Sequence, residues 1–341
     1  MKKTIIAIIA VYIIAFCCFG LAACKNDDND NKNDKLSVVC TIFPEYDWVS
    51  EILGENKDNV ELTLLLDNGV DLHSYQPSVQ DIAKISACDL FIYVGGESDA
   101  WVDDALKNAT NKDMKVINLL EVLGDKVKTE ETVEGMEHEH EHEEGEEHEH
   151  EEGEEHEHEE ESDEHVWLSL KNAEILCAEI TSELSALDKD NAAVYESNFA
   201  AYKEKLAALD KSYSSAVKNA KYKTLVFGDR FPFRYLVDDY DLIYYAAFAG
   251  CSAETEASFE TIAFLAGKVD ELSLPAVCTI EGKEHKIAET VKENTAAKDQ
   301  KIVTFDSMQS TTSQDIENGV TYLSVMENNL IALKEALGVA A

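Results

Sequence analysis

Five residues with metal-binding side chains stand at points of the chain where ligand sites form. His73 lies in the stretch VDLHSYQP and His165 in DEHVWLSL, just ahead of a helical pattern. Asp229, Glu281 and Asp306 close the apolar runs TLVFGD, PAVCTIE and KIVTFD. Two imidazoles with one or two carboxylates form a site of borderline softness, suited to Zn2+, or to Mn2+ where oxygen ligands dominate. Each residue also has a plainer reading. A lone His beside Tyr75 is often bonded to nearby backbone, and His165 next to Trp167 could simply pack at a helix start. An Asp after a strand is most often a helix cap, and Glu281 before Gly282 could face solvent. The balance shifts because all five fall at the same kind of place in the chain.

A second group of histidines is of a different kind. Residues 137–161 contain sixteen Glu, seven His and two Gly, so this segment alone supplies 16 of the 40 formal negative charges. His138, His140, His142, His148, His150, His156 and His158 alternate with Glu in three near-copies of one unit. Such a segment cannot bury enough apolar surface to fold, and a disordered loop over 128–163 is expected. Its imidazoles are mostly neutral above their unperturbed pKa of ~6.5 and bind Zn2+ weakly, while the glutamates concentrate cations nearby. A solvated acidic spacer would account for the Glu but not for the His. The acidic balance of the whole chain excludes a nucleic-acid partner.

Elements that could position the first five residues follow an α/β plan. LSVVCTI, VELTLLL, DLFIYVGG and MKVINL read as strands separated by helical patterns, including one capped by Ser78 that runs to Ser86. From Thr224 the same alternation returns through TLVFGD, LIYYAAF, PAVCTIE and KIVTFD, with helices expected over 231–238, 258–272, 284–294 and 315–337. Alternation of this kind implies crossover units and mainly parallel sheets. Two lobes follow, 36–186 and 222–341, each a sheet flanked by helices. Between them, over 187–221, Tyr195, Phe199, Tyr202, Leu206, Leu209 and Tyr213 form a single helical stripe. The stripe is too short and too aromatic for a coiled-coil dimer, so a monomer is expected, with the helix as a spine along both lobes. In two-lobed α/β plans ligands bind in the cleft at the carboxyl ends of strands.

The N-terminus bears on location. Met1-Lys2-Lys3 and the apolar run to Gly20 read as a secretory signal over 1–23, ending in Leu21-Ala22-Ala23-Cys24. That ending resembles a bacterial lipobox, with Cys24 as the lipidated residue and 24–35 as a polar tether outside the cell membrane. Five cysteines then remain, Cys40, Cys88, Cys177, Cys251 and Cys278. Buried free thiols are the default for them, with Cys251–Cys278 as the one candidate disulfide.

Taken together, the lipobox, DLHSYQPS, the His-rich insert, DEHVWLSL, the spine helix and GCSAETEASF resemble the solute-binding lipoproteins of bacterial ABC importers for zinc and manganese. The resemblance implies His73 and His165 as ligands, although Leu72 stands where the family's loop has proline. It implies a fourth ligand at Asp306 and a third at position 228, where this chain has Gly. Asp229 or Glu281 could then contribute, and Arg230 beside them would need a carboxylate to neutralise it. Inserts of this kind are typical of zinc-type members, which implies Zn2+ as cargo, delivered to an ABC permease in the membrane. A zinc hydrolase is the alternative of another class, but H-E-x-x-H occurs only as His138-Glu139-His140-Glu141-His142 inside the low-complexity His/Glu repeat, where no helix is expected, and G-x-S-x-G does not occur. A surface adhesin or metal store is the third reading.

Overall fold

The first helix, α1 (Phe43–Leu53), starts four residues before Asp47, where the sequence predicts a helix running to Leu53 and stopped by Gly54. Its first turn holds Pro44, and the carboxylate of the fully buried Glu45 reaches back to accept the N–H groups of Thr41 (2.8 Å) and Ile42 (3.2 Å). The helix follows strand β1 (Leu36–Cys40), the centre of a four-stranded sheet with β2 (Val60–Leu64), β3 (Leu90–Tyr93) and β4 (Lys115–Asn118). The order is β2-β1-β3-β4, every pair parallel, and helices α2 (Val79–Ala87), α3 (Val102–Lys107) and α4 (Leu119–Leu123) connect or follow these strands. Helix α2 is capped by Ser78 as its sequence predicts, the hydroxyl accepting the N–H of Asp81. The computed structural model describes residues 35–136, 161–252, 256–282 and 284–339.

Helices α5 (Leu170–Leu187) and α6 (Ala192–Lys218) lead to the second sheet. This sheet contains β5 (Thr224–Phe231), β6 (Ile243–Ala249), β7 (Ala276–Ile280) and β8 (Lys301–Phe305) in the order β6-β5-β7-β8, again all parallel. It carries α7 (Arg234–Asp239), α8 (Phe259–Leu272), α9 (Lys286–Asn294), α10 (Ser313–Glu317) and α11 (Tyr322–Ala336). The repeated plan is the two-lobed α/β fold that the alternation of elements predicts. Both sheets switch direction beside their first strand, and loops converge at their carboxyl ends.

Two boundaries differ from the sequence reading for local reasons. Strand β5 runs on to Phe231 because a bulge between Phe227 and Arg230 absorbs one extra residue. Helix α7 cannot begin at Phe231, since Pro232 disfavours helical geometry in the residue before it. The expected terminal helix over 315–337 is two helices. Gly319, at φ +90°, ends the first, and Thr321 caps the second by accepting the N–H of Ser324.

Residues from Leu36 onward form one compact unit, and its largest core is continuous through both sheets. The 27-residue α6 lays Tyr195, Tyr202, Leu206, Leu209 and Tyr213 into that core, with Phe199 half-buried beside them. Polar ties reinforce the join. The Tyr322 N–H donates to Asp47 (2.9 Å), and its ring packs edge-on against Trp48. Tyr213 donates to the Met326 carbonyl at 2.6 Å, and Asn68 bridges to Thr312. Lobes joined this way share a core instead of a hinge. No helix among the described residues is long and apolar enough to cross a membrane.

The ends of the His-rich insert are held. Thr129 pairs with Ser162 in an antiparallel bridge, Glu130 N–H donates to the Glu161 carbonyl (2.8 Å), and Asp163 N–H donates to that of Lys128 (2.8 Å). Residues 128–136 and 161–163 therefore belong to the fold and narrow the expected loop of 128–163 from both sides. The seven histidines of the insert, and Cys24 with the leader, lie outside the described residues.

Burial, and then the nearby Asp99, push the Glu45 carboxyl up from 4.5 to about 8. A raised folded-state value means that the protonated form is favoured in the fold. Its contribution is full below the ordinary carboxylate range and is lost as pH rises to about 8. Thermal melting across this window should show the wild type losing stability with rising pH and Glu45→Gln losing less. Parallel curves would remove Glu45 as the cause.

Candidate metal centre

The first imidazole is presented by a single helical turn, Leu72–Ser74, in the loop after β2. Leu72 is buried and anchors the turn, while Asp71 starts it by accepting the His73 N–H at 3.0 Å. On the far side of its ring, His73 Nδ1 lies 2.7 Å from Ser98 Oγ and 3.5 Å from Glu164 Oε2. Glu164 is fixed in turn, because its other oxygen accepts the Ser98 N–H at 2.9 Å. Gly96, with φ +81°, gives Glu164 its space, since a Cβ there would lie 2.4 Å from the carboxylate. Burial raises the Glu164 carboxyl above its usual range.

The second imidazole comes from the segment between the strapped insert and α5. His165 is fully buried, with Nδ1 3.1 Å from Asp163 Oδ1 and its backbone N–H donating to the same oxygen at 2.9 Å. Three ties from the second lobe pin this segment. Tyr235 donates to the Asp163 carbonyl (2.8 Å), Trp167 Nε1 donates to that of Ser307 (2.8 Å), and Tyr322 donates to that of Trp167 (2.7 Å). The C-terminal lobe thus positions a ligand of the N-terminal one.

With Nδ1 of each ring turned toward a carboxylate, the tautomer protonated at Nδ1 satisfies both outer partners. The two Nε2 atoms are then left as lone pairs, and they face each other at 3.2 Å. Burial, and then the neighbouring His165, lower the pKa of His73 to about 3, so the ring is neutral and ready to ligate across the physiological range. A third donor joins them. The ligating atoms of His73, His165 and Cys251 all lie within 4.8 Å of one another, the only such group of three or more among the described residues. His73 and Cys251 border a cavity of about 500 Å3 that Glu97, Glu130, Glu161 and Glu164 also line. Its mouth is acidic, as a cation funnel requires.

The remaining sequence candidates are placed elsewhere. Asp306 does not join the group: its carboxylate accepts the Met308 N–H at 2.8 Å and stands against Glu281. Glu281 accepts both the N–H (2.7 Å) and the hydroxyl (2.6 Å) of Ser307. Burial raises both carboxyls above their usual range, and for Glu281 repulsion from Asp306 adds to it. Asp229 is occupied in joining β5 to β7, accepting the Thr279 hydroxyl at 2.7 Å and the Ile280 N–H at 3.3 Å. Arg230 finds its neutralising carboxylate across the cleft in Asp71, not in Glu281 or Asp229, and against the upward push of burial it holds the Asp71 carboxyl below its usual range. Position 228 could not hold a ligand without rearrangement, because a Cβ there would lie 2.4 Å from the Ala288 Cα in α9. The expected Cys251–Cys278 disulfide is absent: both thiols are free, Cys278 in the middle of β7 and Cys251 in the turn just past β6. Burial and the nearby Glu130 keep the Cys251 thiol protonated well above its usual value.

Sequence reasoning missed Cys251, Glu164, Ser98 and Gly250 as parts of this site. A cysteine within an apolar segment reads as core, and nothing local marks Gly250. Yet a Cβ on Gly250 would sit 3.0 Å from both His165 Cε1 and the Phe231 carbonyl oxygen. That close approach brings the end of β6 against the imidazole.

Comparison with known proteins identifies the family of the chain. The sequence model of the zinc-uptake complex component A, periplasmic, matches residues 38–336. The zinc-binding lipoprotein AdcA of Streptococcus pneumoniae is 32% identical over 335 residues, which cover 98% of this chain and 61% of that protein. The high-affinity zinc uptake system protein ZnuA of Bacillus subtilis is 32% identical over 331 residues, covering 96% of this chain and 97% of that one. The Zn(II)-bound ZnuA-like domain of pneumococcal AdcA superposes with a TM-score of 0.67 at 30% identity, over 89% of this chain and 99% of that domain. The chain thus spans about three-fifths of the length of AdcA and almost all of the Bacillus relative.

Adding a methyl group at Gly250 presses on an imidazole and a backbone oxygen, neither of which yields cheaply. Gly250→Ala should lose about 1–3 kcal/mol in urea unfolding, whereas Gly267→Ala, where a Cβ would meet nothing within 4 Å, should lose none. Equal stability of the two variants would show that the β6 end does not bear on His165.

Proposed function

From its membership of the zinc-uptake component A family, to which the chain belongs, we propose that it captures Zn2+ outside the cell membrane and delivers it to an ABC-type permease. The observation that carries this reading is the Nε2–Nε2 separation of 3.2 Å between His73 and His165. Zn–N bonds of ~2.0–2.1 Å at tetrahedral angles set their nitrogens ~3.3 Å apart, so the pair is already at the edge length of a zinc tetrahedron. Outer carboxylates behind both rings raise the basicity of the ligating nitrogens. Asp306 stays outside the capture pair because its carboxylate is engaged with Met308 and Glu281.

The role is binding without turnover, performed by a monomer anchored through lipid on Cys24. The histidines of residues 137–161 collect Zn2+ weakly, and the described residues on either side of them are strapped together by the Thr129–Ser162 bridge. Mn2+ is the lesser cargo, since two imidazoles favour the more nitrogen-loving ion.

Protein purified without added metal should contain one equivalent of zinc, and both His73→Ala and His165→Ala should lack it. Equal zinc content in all three would sink the assignment. Deleting residues 137–161 should leave one tight equivalent in calorimetry and remove only weak ones; loss of the tight site would place capture in the insert instead.

A further inference from the structure

Two imidazoles fill half of a zinc tetrahedron, and the residue that the family resemblance puts third is a glycine whose missing side chain has no room to return. We propose that Cys251 supplies the third protein ligand as a thiolate, and that this nitrogen–sulfur set selects thiophilic cations, Zn2+ and Cd2+, over Mn2+. The inference rests on the zinc-capture reading above and adds to it a ligand and a selectivity.

Position and packing both bear on it. Cys251 lies in the turn two residues past the end of β6 on the second lobe, opposite His73 and His165, and its sulfur lies within 4.8 Å of a ring nitrogen of each. A Zn–S bond of ~2.3 Å beside Zn–N bonds of ~2.0–2.1 Å sets sulfur and nitrogen ~3.6 Å apart, which falls inside that radius. The approach is built into the fold. Gly250 lets the backbone pass close to the His165 ring, where a Cβ would lie 3.0 Å from Cε1, and Glu130 holds the next residue by accepting the Cys251 N–H at 2.9 Å. Cys40, Cys88, Cys177 and Cys278 are fully buried, whereas Cys251 is partly exposed in the same cavity as His73.

The chemistry balances simply. As the metal–sulfur bond forms, the S–H bond breaks and its proton leaves to solvent, so each ion bound releases one proton. The thiolate cancels one of the two charges of the ion, and a fourth position stays open to water. Sulfur favours Zn2+ and Cd2+, whereas Mn2+ prefers oxygen donors.

Co2+ titrated into the full chain reports the ligand directly. The wild type should show the intense near-ultraviolet sulfur-to-cobalt charge-transfer band, and Cys251→Ser should lack it. Zn2+ affinity in Cys251→Ser should fall by at least about 100-fold, the upper end of what losing an outer-shell partner costs, and Mn2+ should not displace Zn2+ from the wild type. Should Cys251→Ser fail to fold, alkylation of wild-type Cys251, mapped by peptide mass, should be blocked by Zn2+. Bound Co2+ without the band, unchanged Zn2+ affinity in the folded variant, or alkylation unaffected by Zn2+ would each overturn the thiolate. If His73→Ala abolishes binding while Cys251→Ser binds as the wild type does, only this inference fails; if the wild type binds no Zn2+, the capture reading fails with it.

Discussion

Two imidazoles held Nε2 to Nε2 are an unfavourable arrangement unless a proton or a cation lies between them, and much of this structure serves to hold them so. His73 and His165 are 92 residues apart, yet their Nε2 atoms meet at 3.2 Å. Each is turned by an acidic partner behind it, Glu164 for one ring and Asp163 for the other. Each backbone is fixed by a carboxylate at the residue two before it, since Asp71 accepts the His73 N–H and Asp163 that of His165. The repeated D-x-H arrangement thus performs the same service twice, although only at His165 does the same carboxylate also meet the ring.

Holding such a pair costs free energy that packing must offset, and the offset comes from outside the lobe that carries the ligands. Tyr235, Ser307 and Tyr322 of the second lobe bond to the backbone or indole of 163–167, while α6 buries its aromatic stripe in the core common to both lobes. Preorganisation of this kind favours tight capture, because little ordering remains to be done when an ion arrives. The Arg230–Asp71 pair adds to it across the cleft, placing a positive group next to the carboxylate that fixes His73 without taking up an imidazole nitrogen.

Much of this is legible in the sequence. Alternating strand and helix patterns predict both sheets, and the aromatic spacing from Tyr195 to Tyr213 predicts the 27-residue spine. The bulge at 228–229 and the break at Gly319 were not legible, because a single extra residue or a left-handed glycine leaves no trace in hydrophobic periodicity. At the site, the motifs around His73 and His165 singled out the two rings that meet. Asp306 is implied only by position in the family motif, and Glu281, which stands against it, becomes its neighbour through tertiary packing. Cys251 was passed over for the opposite reason: its apolar surroundings in sequence look like core, while the turn after β6 carries it to the cleft.

The continuous core has a consequence for any membrane machine that must tell a loaded carrier from an empty one. Lobes fused through a shared interior and a stiff helix resist bending about a hinge, which disfavours a signal carried by overall closure. What differs between the states must then be small and close to the cleft, in the loops after β2 and β6. A docking partner reading those loops would sense occupancy through a few ångströms of surface instead of through the posture of the whole molecule.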